Sequence, residues 1–247
     1  MKNIMIFDGN YILRRSFYGV PELKTSKGFP TNAIKGALNT ILYMKEKYSP
    51  DELIVAFDTA KPTFRHLMYN GYKATRDPAP EEFKIQRQAI VPILKTMNIC
   101  VIEKEGYEGD DILGTLAKYG EKQGLEVTIL SGDRDTFQLA SDNITIRIPR
   151  TKAGKTETEN YNRAKVLEEY GLEPVQLIEV KALQGDTSDN IPGVPGIGPK
   201  TAVSLIQKYH SVKELYEKIE KDEDDLKGKQ KENIVANKDM AELSRTL

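Results

Sequence analysis

Three apolar runs in this chain each lead to an aspartate, and no other feature restricts the possible fold so strongly. Ile4-Met5-Ile6-Phe7 runs into Asp8, Leu53-Ile54-Val55-Ala56-Phe57 into Asp58, and Val127-Thr128-Ile129-Leu130 reaches Asp133 through Ser131-Gly132. Short apolar stretches bounded by turn residues read as strands buried on both faces of a parallel sheet. Parallel strands bring their carboxyl ends to one edge, where α/β proteins place their sites. The three acids are therefore expected at one rim. Glu108, Asp110, Asp111 and Asp135, with the pair Asp186 and Asp189, bring the carboxylates expected in one crevice to nine. Two unit charges about 4 Å apart repel by roughly 4 kcal/mol at an effective dielectric of about 20. Such a cluster lifts its own pKa values or drives the strands apart unless cations sit among the oxygens. Divalent metal is the simplest remedy.

Between the strands the apolar spacing changes to that of amphipathic helices. Residues 32–47 carry Ile34, Ala37, Leu38, Ile41, Leu42 and Met44 at helical spacing. Residues 80–97 form a second helical stretch that leads into Ile99-Cys100-Val101-Ile102, and Glu108 to Asp111 opens a third with Ile112, Leu113, Leu116 and Ala117 inward. This alternation predicts an α/β domain over residues 1–160: a doubly wound, mostly parallel sheet with helices on both faces. From 161 to 247 the pattern is helical, with a glycine-rich hairpin at 193–198 joining two helices. The tail from 217 onward is strongly charged and shows no strong apolar stripe.

Residues 61–80 break the rhythm, being interrupted by Pro62, Gly71, Pro78 and Pro80. A connection of that length inside a compact domain is functional or mobile. Between Lys61 and Arg76 lie Lys61, Arg65, His66, Lys73 and Arg76 with no acid among them, interleaved with Phe64, Tyr69 and Tyr72. An isolated charge run is usually a solvated helix face. The interleaved aromatics suit phosphate and base contacts as well.

Bulk composition sets limits. A chain of 247 residues, 39% hydrophobic and 30% charged, can build one large core or a core with a small appended unit. Its 36 Lys plus Arg against 37 Asp plus Glu give a net charge of −1, so only the distribution of charge can point to a polyanionic partner. The single cysteine, Cys100, excludes an internal disulfide and makes no thiolate zinc site by itself. No stretch approaches the ~20 apolar residues of a membrane span or the layout of a signal peptide. A cytoplasmic protein without a membrane partner is expected.

Oxygen-only ligands select magnesium or manganese over zinc, and His66 and His210 are better assigned to basic surface positions. Two such ions roughly 3.5–4 Å apart activate a water, hold a scissile phosphate and stabilise the leaving oxygen. Each acidic segment also has a local explanation. Glu108 and Asp111, three residues apart, can cap a helix start; Asp133 and Asp135 are ordinary turn residues; Asp186 and Asp189 can belong to a loop feeding Ile191-Pro192. Their joint occurrence weakens those readings. In the hairpin Gly193-Val194-Pro195-Gly196-Ile197-Gly198-Pro199-Lys200, glycines allow close backbone approach, and the helix N-terminus and Lys200 can dock a duplex phosphate without reading bases. A plain interhelical turn is the alternative.

These motifs together resemble the 5′ nuclease (flap endonuclease) superfamily, most closely the 5′→3′ exonuclease domain at the N-terminus of bacterial DNA polymerase I. The resemblance rests on Phe7-Asp8-Gly9-Asn10 with Arg15 and Phe17; Gly28 to Ala33; Phe57-Asp58; Thr63-Phe64-Arg65 through Tyr72-Lys73 and Arg76; Gly106 to Asp111; Gly132 to Asp135; and Lys181-Ala182-Leu183 through Gly185 to Gly193. It implies a PIN-like core with a helical arch or clamp around 61–80 and a C-terminal helix-hairpin-helix region gripping duplex DNA with help from K+. It implies two Mg2+ or Mn2+ ions, with Asp8, Asp58, Glu108, Asp110 and Asp133 nearer the first and Asp135, Asp186 and Asp189 nearer the second. Asp111 would lie in or just behind that shell. Lys73 and Arg76 would contact the scissile phosphate. Arg15, Tyr72, Lys181, Gly196, Gly198 and Lys200 would help bind the substrate.

The implied activity is structure-specific cleavage of DNA or RNA primers at 5′ ends, nicks and flaps in replication and repair, by a monomer that is either free-standing or joined to a DNA polymerase. Gly109, where the family usually has alanine, and Thr136, where an aliphatic residue commonly follows Asp135, depart from the pattern without removing a ligand. Two rival classes stay open on the residues alone. An aspartyl-phosphate phosphotransferase would usually place a second acid at position 10, where this chain has Asn10. A DNA-binding module without catalysis would have no need of the acid set.

Overall fold

The computed structural model describes residues 2–152 and 155–247. Chain compactness divides it into two units, one made of Met1–Thr63 and Pro78–Asn162, the other of Phe64–Asp77 and Arg163–Leu247. No helix among the described residues is long and apolar enough to cross a membrane.

The first unit is built on a six-stranded sheet. In chain order its elements are β1 (Asn3–Asp8), α1 (Gly9–Gly19), α2 (Asn32–Tyr48), β2 (Glu52–Phe57), α4 (Glu81–Thr96), β3 (Cys100–Glu103), α5 (Gly109–Lys122), β4 (Glu126–Leu130), β5 (Ile144–Lys152) and β6 (Lys155–Tyr161); α3 (Phe64–Met68) belongs to the second unit. The strand order is β3-β2-β1-β4-β5-β6. All neighbours are parallel except β5 and β6, which pair antiparallel. Met5, Ile6 and Phe7 are consecutive and all buried, as a central strand covered on both faces requires. One face packs Met5, Phe7 and Val55 with Ile12, Ile41, Phe83, Ile90 and Leu94 of α1, α2 and α4; α5 covers the other, where Gly120 lies against Val127 and Ile4.

Register explains why the acids share a rim. Phe7 stands opposite Val55 on one side and Leu130 on the other, so Asp8, Asp58 and Asp133 all follow strand ends at the same sheet edge. The turn from β1 into α1 is tight: a Cβ on Gly9 would come within 2.4 Å of the Phe57 ring. Only glycine fits between that strand end and its neighbour. No element is assigned from sequence to the stretch that forms the antiparallel β5–β6 pair: β5 alternates buried Ile144, Ile146 and Ile148, while β6, at the sheet edge, is polar up to Tyr161.

The second unit is helical: α6 (Arg163–Tyr170), α7 (Leu177–Gln184), α8 (Pro199–Tyr209), α9 (Val212–Glu220), α10 (Gly228–Ala236) and α11 (Lys238–Thr246), with Phe64–Asp77 packed among them. Its core gathers Leu183, Val194, Ile197, Leu205, Ile206, Leu215 and Ile234. Sequence alone attaches residues 61–80 to the sheet domain, whereas the coordinates group Phe64–Asp77 with the helices. Backbone hydrogen bonding is the reason, since Lys73 N donates to Asp189 O at 2.8 Å. The charged tail also folds, through polar ties and small residues. Buried Glu179 accepts from Val212 N at 2.9 Å and from Arg245 Nε at 2.7 Å, joining α7, α9 and α11. Ala241 and Ser244 let α11 approach closely enough for Ser244 Oγ to accept from Gly193 N at 3.0 Å.

Candidate active site

In the sheet unit the acids follow the carboxyl ends of the strands, and Asp8, Asp58, Glu108, Asp111 and Asp133 each accept a hydrogen bond from a nearby donor. Asp8 is the N-cap of α1: Tyr11 N donates to its Oδ1 at 2.9 Å, and Ser131 Oγ donates to its Oδ2 at 2.8 Å. Asp58 Oδ1 accepts from Gly109 N at 2.6 Å. Glu108 and Asp111 form a capping box at the start of α5, with Glu108 N donating to Asp111 Oδ2 at 2.8 Å, so the local capping reading of these two acids is realised. Asp133 Oδ1 accepts from Asp135 N at 2.8 Å. Glu108 is buried while Asp58, Asp110 and Asp133 are exposed.

Donors alone do not neutralise this rim. Burial pushes the Asp8 carboxyl up to about 6, against the lowering effect of Tyr11 and Ser131, and the nearby charges of Asp58 and Asp133 add to the rise. Excess negative charge at oxygen-only ligands is what a hard cation relieves, so the donor chemistry fits a divalent ion. Among the described residues no group of three or more His, Cys, Asp or Glu side chains is gathered tightly enough to hold an ion. Asp8 and Asp58 accept from donors on neighbouring elements, Ser131 Oγ and Gly109 N, while Asp111 and Asp133 accept from amides of their own segments.

Beside Asp58 lies a groove of about 680 Å³, lined among others by Asn10, Arg14, Thr59, Phe83, Arg87 and Glu103. Arg87, which the motifs do not single out, spans its floor. Its Nη2 donates to Asp58 O at 2.8 Å and to Glu103 Oε1 at 2.6 Å, its Nε donates to Asn10 Oδ1 at 3.3 Å, and its guanidinium lies 4.0 Å from the Phe57 ring centroid. One side chain thus ties the start of α1 to the ends of β2 and β3. Arg87 lies in an ordinary amphipathic helix, so no spacing marks it. Arg15 is half-buried on α1, beside Tyr11.

In the helical unit two further acids sit among cations. Lys181 Nζ donates to Asp186 Oδ2 at 2.6 Å, while Ser188 N and Oγ donate to Asp186 Oδ1 at 2.7 and 2.6 Å. Burial would raise Asp186, but Lys181 and Ser188 outweigh it and hold the carboxyl down at about 2. Asp189 pairs with Arg76 Nη2, accepts from Tyr72 OH at 3.3 Å and lies 3.7 Å from Lys73 Nζ. Tyr72 is buried. The expected basic residues and these two acids therefore form one cluster within this unit. Gly196, Gly198 and Lys200 lie exposed at the turn into α8, which Gly198 caps and Pro199 starts. His66 packs edge-on to Tyr72 with ring centroids 5.1 Å apart, and His210 ends α8.

Comparison with known proteins covers the whole chain. The 5′-3′ exonuclease N-terminal resolvase-like domain matches residues 3–171, and the 5′-3′ exonuclease C-terminal SAM fold matches residues 172–247. The chain is 44% identical to a DNA polymerase I of Caldicellulosiruptor bescii over 244 residues, which is 99% of this chain and 28% of that protein. It thus spans little more than a quarter of the length of that relative. It is 38% identical over 234 residues to a 5′-3′ exonuclease of Aquifex aeolicus, covering 95% of this chain and 79% of the relative. A solved flap endonuclease of bacteriophage T5, in a pseudo-enzyme-product complex with DNA and metal ions, is similar in fold, with a TM-score of 0.75 and 25% identity over 99% of this chain and 88% of that one.

Proposed function

Because the chain belongs to the 5′-3′ exonuclease family, we propose that it is a structure-specific, divalent-metal-dependent phosphodiesterase acting at 5′ ends, nicks and flaps of DNA and on RNA primers. The observation that carries this reading is the acid rim of the sheet unit, where Asp8 is driven up to about 6 by burial and by its acidic neighbours. Mg2+ or Mn2+ bound there would activate water and stabilise the leaving oxygen of an in-line displacement. Asp8, Asp58, Glu108, Asp110 and Asp133 are the ligands assigned to the first ion, and Asp135, Asp186 and Asp189 to the second, with Asp111 buttressing them.

The protein's own residues supply the rest. Lys73 and Arg76 hold the scissile phosphate and favour the charge that develops on it, with no proton transfer required. Arg15, Tyr72 and Lys181 steady the strand being cut. The exposed turn Gly196 to Lys200 docks duplex phosphates through backbone N–H groups and a lysine, with K+ as an auxiliary ion. Contacts of this kind carry no sequence information, so cleavage follows substrate shape, and affinity falls steeply with salt. The T5 relative solved with DNA and metal ions supports the substrate class. The DNA polymerase I relatives support work beside a polymerase, in the cytoplasm, in replication and repair. Such a nuclease needs no partner copy and acts as a monomer.

The deciding experiment incubates a 5′-labelled flap duplex with the protein, with and without Mg2+. Metal-dependent release of the 5′ fragment is expected. Tight binding without cleavage in Mg2+ or Mn2+ would instead leave a DNA-binding module.

A further inference from the structure

Lys73 has a left-handed backbone, with φ of 55°. That conformation costs a side-chain-bearing residue roughly 1 kcal/mol or more, so the surroundings must impose it. The turn that carries Lys73 is closed locally by Tyr72 N to Tyr69 O at 3.0 Å, Ala74 N to Gly71 O at 3.1 Å and Arg76 N to Lys73 O at 3.1 Å. Three further bonds come from a loop more than a hundred residues away in sequence. Lys73 N donates to Asp189 O at 2.8 Å, Arg76 Nε to Ser188 O at 3.2 Å, and Asn190 Nδ2 to Gly71 O at 2.6 Å.

The loop is itself fixed. Asp186 N donates to Ile191 O at 2.9 Å and Ile191 N to Asp186 O at 2.7 Å, closing it with a reciprocal backbone pair. Beneath that pair Gly185 and Gly193 touch backbone to backbone, and a Cβ on Gly193 would come within 2.3 Å of Gly185 N. Asn190 is left-handed too, with φ of 55°, a conformation asparagine accepts more readily than other non-glycine residues. Its side-chain amide reaches the carbonyl of Gly71.

We propose that Asn190 is a positioning residue, whose side-chain amide, bonded to Gly71 O, holds the 71–76 turn so that Lys73 and Arg76 are presented to the scissile phosphate. This rests on the reading of Lys73 and Arg76 given above. Asparagine suits the post because it combines a left-handed backbone with a neutral donor. Aspartate would keep the shape but set a carboxylate against a carbonyl oxygen, and glycine would keep the backbone but lose the donor.

The test is single-turnover cleavage of a 5′-flap duplex at saturating Mg2+ by Asn190→Gly, alone and in a Lys73→Ala, Arg76→Ala background. Misplacing a charge by about 1 Å can cost up to about 100-fold in rate. Asn190→Gly is expected to lower the single-turnover rate about tenfold, with duplex affinity and thermal midpoint unchanged, and to cost less than about twofold once both cations are gone. Asn190→Asp is expected to fall at least as far. Peptide amides of residues 72–76 should exchange with deuterium faster in Asn190→Gly than in the parent. Equal fold losses in the two backgrounds, a loss confined to affinity, or unchanged exchange overturns the inference and leaves the basic pair's role intact. Unchanged cleavage in the Lys73→Ala, Arg76→Ala protein removes that role and the inference with it.

Discussion

Two sets of aspartates in this molecule live under opposite electrostatics. On the sheet unit Asp8 sits with Asp58 and Asp133 as neighbours, accepts from the neutral donors Tyr11 N and Ser131 Oγ, and has its carboxyl driven up to about 6 by burial. On the helical unit Asp186 and Asp189 are matched by Lys181, Lys73 and Arg76, and Asp186 is held down at about 2 against its burial. A buried carboxylate with no countercharge carries a desolvation cost, and some repulsion from its acidic neighbours, that an arriving cation offsets. One already paired with a side-chain cation gives up that partner before taking another. The first set is therefore the tighter candidate for metal, and the second sets where the protein's own positive charge stands.

The sharpest way to break this comparison is Asp8→Asn, which keeps one acceptor oxygen for Tyr11 N, turns an NH2 group toward Ser131 Oγ and removes the charge. Cleavage of a 5′-flap duplex in Mg2+ is expected to fall by about 10³-fold or more; near-normal rates would detach the rim from catalysis. Next in size, Lys73→Ala is expected to slow single-turnover cleavage about 100-fold while duplex affinity moves by less than about twofold. A change in affinity alone would make Lys73 a docking residue.

A third measurement reads the cost of ionising buried Asp8, set first by its burial and then by its acidic neighbours. The folded Asp8 carboxyl titrates near 6 against a reference of 3.8, so between those values the native state binds more protons than the unfolded chain. Stability should therefore decline as pH rises from about 4 to about 6, by on the order of 2 kcal/mol, and Asp8→Asn should abolish that decline. Urea unfolding in chelator at several pH values checks this, and a flat profile in the parent would refute it. The smallest effect belongs to Lys181→Ala. Asp186 has a depressed pKa, so its contribution is present above 3.8 and lost as pH falls toward about 2. Removing Lys181 should cost under about 1 kcal/mol at pH 7 after solvent screening, and should raise the carboxyl's titration in an NMR pH series. An unmoved titration would show that Ser188 alone holds the charge.

Much of the sheet unit could be read in advance because its strands are buried on both faces and announce themselves as apolar runs ending in acids. Asp8, Asp58 and Asp133 follow from that pattern together with parallel register. β6 leaves no apolar trace, since Lys155–Tyr161 is polar up to its last residue and lies at the sheet edge. The charged tail looked unpromising because α11 buries Ala241 and Ser244, not large apolar side chains, and relies on Arg245 bonded to Glu179. Arg87 and Asn190 were invisible for a different reason: each acts through partners distant in the chain, and spacing carries no trace of such contacts. The association of Tyr72, Lys73 and Arg76 with Asp189 belongs to the same class, visible only once residues 64–77 are placed beside the helices.

The single cysteine begins β3, and it is exposed. Because β3 runs parallel to its neighbours, Cys100 lies at the amino end of the strand, some three residues and about 10 Å from the carboxyl rim. A fluorophore attached to that thiol would ride on the sheet unit at the strand end opposite the acid rim. Energy transfer from it to a labelled flap could then time the arrival of nucleic acid separately from the bond-breaking step, with no engineering of the wild-type chain.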